Sequence, residues 1–106
     1  MRRGAYIYDD ALSHHVLSED HVFVPSRLRY TYELLESYGA FQDDDSLLVK
    51  PRHATDEEVL TFHTSDYVAG VKGFSRGETL VDPARYNFSA HGDNPTYPGM
   101  FEAATL

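Results

Sequence analysis

The chain has 106 residues, 42% hydrophobic and 25% charged, which are ordinary globular proportions and exclude a disordered or membrane-spanning class. It carries a net charge of −8 with histidine neutral and no cysteine, so there is no basic surplus to neutralise nucleic-acid phosphates and no disulfide or thiolate metal site. One small domain with a thin core is the most this length allows.

Met1-Arg2-Arg3 precedes an apolar stretch too short for a secretory signal. Together with the absence of cysteine, this places the expected compartment in the cytoplasm, with no membrane and no direct nucleic-acid partner. Ala5-Tyr6-Ile7-Tyr8 predicts a short buried strand that leaves through Asp9-Asp10. Residues 11–24 show no sustained period and hold three histidines, His14, His15 and His21. Pro25-Ser26 opens a helix with Leu28, Tyr32 and Leu35 on one face, Leu34 and Tyr38 beside it, and Gly39 as its stop. After the solvated turn Asp43-Asp44-Asp45, Ser46-Leu47-Leu48-Val49-Lys50 predicts a second strand. The order strand, helix, strand is that of a crossover, which sets the two strands parallel.

Thr55-Asp56-Glu57-Glu58 forms a capping box for a helix to about Phe62. Thr64-Ser65-Asp66 offers a further cap, and Tyr67, Val68, Val71 and Phe74 carry the apolar face as far as Gly73 or Phe74. Residues 75–87 read as a polar loop. Two prolines and two glycines between Gly92 and Gly99 forbid a regular element, so this stretch is an ordered loop presenting the Asp93 carboxylate. Met100 to Leu106 then predicts the start of a helix, with no stop signal by Leu106.

Candidate chemistry is sparse. Three nearby histidines raise a zinc reading, but no carboxylate sits at a ligand spacing, and adjacent histidines point apart. His63 reads as a helix-junction residue bonded to backbone, Asp66 as a cap, and Tyr6, Tyr8, Tyr30, Tyr32 and Tyr38 mostly as core-facing aromatics. No nucleophile elbow, phosphate loop or dinucleotide fingerprint is present. Residue patterns alone support an α/β piece with an exposed acidic loop.

Five motifs in order carry a resemblance. They are Tyr6-Ile7-Tyr8-Asp9, His21-x-x-x-Pro25-x-Arg27, Leu34-Leu35-x-x-Tyr38-Gly39, His63-Thr64-Ser65-Asp66-Tyr67 and Asp93-x-Pro95-x-x-x-Gly99-x-Phe101-Glu102. The set resembles the N-terminal part of the histone deacetylase family, of the arginase/deacetylase fold, nearest the bacterial and archaeal acetoin-utilisation branch. The resemblance implies a three-layer α/β/α fold with a mostly parallel sheet. It also implies an intact zinc-dependent enzyme in which water, activated at the metal, attacks an acetyl-lysine or acetyl-amine amide.

On that resemblance residues 1–106 are the N-terminal segment of a single deacetylase domain that stops before the catalytic residues. The segment then holds no catalytic residue or metal ligand, binds no zinc alone and is inactive by itself. Asp93 matches the rim aspartate that accepts bonds from substrate backbone amides, and Arg27 matches the arginine of an internal channel. Tyr8 and His21 fall where the family lines that channel. Val22 replaces the proline usual after that histidine, which bears on the shape of the channel floor. The substrate is left open among protein lysine, polyamine and small acetylated amine. The alternative is a non-catalytic small α/β protein or remnant that pairs with a partner, or with itself, through an exposed sheet edge.

Overall fold

The computed structural model describes residues 3–106; Met1 and Arg2 of the opening basic stretch lie outside the described residues. Two compact units divide the chain, one of residues 1–15 and 24–52, the other of residues 16–23 and 53–106.

In the first unit β1 (Gly4–Ile7), α1 (Ser26–Ser37) and β2 (Ser46–Val49) follow one another. β1 and β2 pair in parallel, Gly4 opposite Ser46 and Ile7 opposite Val49, as the strand-helix-strand order predicts. The strand is not the buried one expected. Ala5 is exposed and Ile7 is 60% exposed, because two strands and one helix supply too little surface to cover both faces of a sheet. An aromatic stack anchors the unit instead. Tyr8, buried, lies on Tyr32 with ring centres 4.5 Å apart, and Phe41 reaches both Tyr6 and Tyr32.

Leu28, Tyr32 and Leu35 of α1, the face read from the sequence, are partly buried, while Leu34 and Tyr38 stay exposed. Its end follows the paired bonds of a Schellman motif, Gly39 N–H to Glu36 O and Ala40 N–H to Leu35 O, with Gly39 at φ +74. Tyr30 and Tyr38 are 58% and 79% exposed, against the core-facing expectation, since neither falls on the stripe of Leu28, Tyr32 and Leu35.

The second unit contains α2 (Asp56–Leu60), α3 (Ser65–Ser75) and α4 (Met100–Thr105). The capping box at α2 is present in full: Thr55 Oγ1 accepts the Glu58 N–H, and the Glu58 carboxylate accepts the Thr55 N–H. α2 ends two residues before the expected Phe62. At α3 the cap is Thr64, whose hydroxyl accepts the Tyr67 N–H, so Asp66 is not a cap but a first-turn residue. The polar loop after α3 contains an unforeseen 3₁₀ turn at Pro83–Tyr86, capped by Asp82, and another lies at Asp10–Ser13, capped by Asp9. Both are single turns, too short to leave a period in the sequence.

Val71, Phe74 and Met100 form the core of this unit, with Tyr67, Tyr86, Phe88 and Tyr97 packed on it. No helix among the described residues is long and apolar enough to cross a membrane.

Candidate functional site at the Asp93 loop

Asp93 lies in the second unit, on the turn that precedes buried Pro95. Ser89 N–H donates to Asn94 O at 2.9 Å and Gly92 N–H donates to Ser89 O at 3.2 Å, so the turn is closed across its own mouth. Proline at position 95 removes a donor and disfavours a helical conformation at Asn94. The Asp93 carboxylate is exposed and makes no hydrogen bond or ion pair with another described residue. Both of its oxygens are free to accept.

His21 belongs to the same unit. Its Nε2 lies 2.8 Å from Asp93 O, and its Nδ1 lies 2.9 Å from Phe23 N. Glu19, Asp20, His21, His91, Gly92 and Asp93 border a hollow of about 460 Å³. With three carboxylates at its edge, the hollow suits a ligand that offers N–H donors or positive charge.

The other expected site residues belong to the first unit. Tyr8 is buried, and its hydroxyl lies 3.0 Å from Ser13 Oγ. Arg27, in the first turn of α1, is exposed. The pairing of His21 with the Asp93 loop spans 72 residues and has no local signature, so sequence periodicity could not expose it.

The three N-terminal histidines are used separately. His14 Nε2 meets Asp10 Oδ2 at 2.9 Å, His15 Nε2 is buried without a partner among the described residues, and His21 Nε2 meets Asp93 O. Among the described residues no group of three or more His, Asp or Glu could hold a metal ion. His14, His15 and His21 therefore do not fit a shared zinc ion.

His63 is set by ring contacts rather than by a backbone bond of its imidazole. It stacks on Tyr67 at 5.0 Å and meets Phe62 edge-on, while its main-chain N–H bonds Val59 O. The Thr64 hydroxyl and then the Tyr86 hydroxyl hold the Asp66 carboxyl below the usual range, an arrangement that keeps the α3 entrance charged.

A histone deacetylase domain matches residues 21–106. The chain is similar to the acetoin utilization protein AcuC of Bacillus subtilis, 34% identical over 106 residues, covering 100% of this chain and 27% of that protein. It is also similar to histone deacetylase 1 of Oryza sativa subsp. japonica, 32% identical over 94% of this chain and 19% of the relative. Histone deacetylase 1 of Homo sapiens is 26% identical over 99% of this chain and 22% of its own length. The chain thus spans about a quarter or less of the length of the curated relatives it matches. With the domain match running through the His21 and Asp93 segments, and an α/β architecture consistent with part of the arginase/deacetylase fold, the chain belongs to the histone deacetylase family.

Proposed function

We propose that these residues are the N-terminal portion of a zinc-dependent deacetylase that hydrolyses acetyl-lysine or acetyl-amine amides, and that they contribute substrate-rim and channel residues to it. The observation that carries the reading is the exposed, unpartnered Asp93 carboxylate on a closed turn, inside the region matched by the family. A carboxylate with both oxygens free accepts two backbone N–H groups of a bound substrate, and a stiff loop lowers the cost of ordering it. In this reading Arg27 guides the acetate product as a cation, and Tyr8 and His21 take the channel-lining roles that the resemblance gives each. The metal and the base that activate water come from outside these residues, so the 106 residues alone turn nothing over.

The test is an assay of the native gene product on an acetyl-lysine peptide and on an acetylated polyamine. Turnover abolished by a chelator and restored by zinc is expected for at least one of them. Asp93→Asn should lower kcat/KM by about tenfold or more, the loss expected for a charge-assisted bond. Chelator-insensitive turnover, or none on any acetylated amine, would remove the reading.

A second reading follows from the strand pair. Among the described residues β1 and β2 pair only with each other, and Ile7, Leu47 and Leu48 are 60%, 61% and 42% exposed. Such an edge pairs with another strand, and the protein would then act by binding.

A further inference from the structure

The His21 ring lies between two main-chain groups, and their chemistry decides where its proton sits. Phe23 N–H points at Nδ1 from 2.9 Å. A main-chain N–H only donates, so Nδ1 must present a lone pair. The carbonyl oxygen of Asp93, 2.8 Å from Nε2, only accepts, so Nε2 must carry hydrogen. One species satisfies both contacts, the neutral imidazole protonated at Nε2. The opposite tautomer would set donor against donor at one nitrogen and acceptor against acceptor at the other. A cationic ring would lose the Phe23 bond.

The consequence falls on the turn. His21 occupies the carbonyl of Asp93, and Ser89 N–H occupies the carbonyl of Asn94, so two successive peptide planes are held. The first of those planes flanks the Asp93 Cα, so the direction in which its side chain leaves the main chain depends on it. A tether through the main chain aims the carboxylate without consuming either of its oxygens, which an ion pair to the carboxylate would do.

We propose that His21 is a positioning residue for Asp93, a neutral imidazole protonated at Nε2 that clamps the Gly92–Asn94 turn to the 18–23 segment. Its functional value rests on the reading of Asp93 as the substrate acceptor. The clamp itself is testable without turnover.

The first measurement is the long-range ring nitrogen–proton spectrum of the 106-residue chain at neutral pH, with His21 identified by the signal lost in His21→Asn. An unprotonated Nδ1 and a protonated Nε2, with no averaging between tautomers, is expected. An averaged ring, the Nδ1-protonated form or a cation would overturn the clamp. The second measurement is amide hydrogen exchange in two variants. His21→Asn keeps an acceptor for Phe23 N–H but cannot reach Asp93 O, whereas His21→Gln can reach Asp93 O with its amide.

Gly92 should exchange about tenfold faster in His21→Asn than in the wild type and less so in His21→Gln, with Val71 and Phe74 unchanged. Equal exchange at Gly92 in all three overturns the clamp. Where a variant loses protection at Val71 and Phe74, and so does not fold, the wild-type ring spectrum decides alone. On the native gene product His21→Asn should raise KM several-fold more than it lowers kcat, with little further effect of Asp93→Asn in that background. Absence of wild-type turnover defeats the functional reading and leaves the ring spectrum to decide the clamp.

Discussion

Ser75 does at the start of α4 what an N-cap residue does at the start of an ordinary helix, although it belongs to α3. Its Oγ accepts the Phe101 N–H at 3.1 Å and donates to Glu102 Oε2 at 2.6 Å, while its carbonyl accepts the Gly99 N–H at 3.1 Å. This is a long-range cap whose hydroxyl comes from 26 residues upstream of the amide it serves. Gly99 has no side chain with which to cap α4 itself. Ser75 is 8% exposed, so its removal leaves donors and acceptors that water reaches poorly. Ser75→Ala is expected to cost about 1–3 kcal/mol, seen as a lower urea midpoint at an unchanged slope. A midpoint equal to that of the wild type would show that the bonds contribute nothing net. The Ser75 hydroxyl, ahead of smaller contributions, holds the Glu102 carboxyl below its ordinary value of 4.5, and Ser75→Ala should let it rise towards that value.

At the scale of elements, the helices differ in how much of their stability is local. α2 has five residues and α4 six, both far below the length at which an isolated helix holds in water. α2 is closed at its start by Thr55 and Glu58 and tied to α3 by the ion pair of Asp56 with Lys72. α4 depends on the entry at Gly99, where φ is +80, a conformation that costs a residue bearing Cβ. A Cβ at Gly99 would meet nothing within 4 Å, so Gly99→Ala probes the backbone alone. It is expected to destabilise by about 1–2 kcal/mol in chemical denaturation, and an unchanged midpoint would mean that the chain enters α4 equally well in another conformation. α1 needs less help, having twelve residues, one apolar stripe and a Gly39 stop that closes two of its last carbonyls.

At the scale of the molecule, the dominant feature is acidity, a net charge of −8 that puts many carboxylates in positions to respond to pH. Asp66, Glu78 and Glu102 have folded values pulled down by partners: Asp66 by the Thr64 and Tyr86 hydroxyls, Glu78 by Arg76, and Glu102 by Ser75. Each binds its proton less readily folded than unfolded. Their contributions are therefore complete above the ordinary values of 3.8 and 4.5 and are lost as pH falls through the lower folded values. The denaturation midpoint should hold as pH is lowered from neutral towards 5 and fall increasingly below about 4.5, and Ser75→Ala should show a shallower fall. A midpoint that rises on acidification below that point would contradict the assignment.

The exposed edge of β1 and β2 gives a prediction at the same scale. If binding through the edge is the function, sedimentation at micromolar concentration shows a dimer that Leu47→Lys returns to monomer. A monomer at all concentrations removes self-pairing.

What the sequence determined by itself was everything encoded over neighbouring residues. Thr55 to Glu58 lie within one turn, so their capping box was legible; so were the stripe of Leu28, Tyr32 and Leu35, the stop at Gly39, and the Pro and Gly spacing that makes residues 92–99 a loop. The parallel pairing also followed, because a helix between two short strands leaves little choice. Only the tertiary structure decided that Ser75 caps α4, that His63 stacks rather than bonds, that β1 stays exposed, and that His21 reaches Asp93. Each depends on groups far apart along the chain, and a hydrogen bond across 72 residues leaves no period or spacing for a linear reading to find. For the candidate site, the ordered motifs pointed to Asp93 on its loop, whereas the contact of His21 with the Asp93 carbonyl exists only after folding brings the two together.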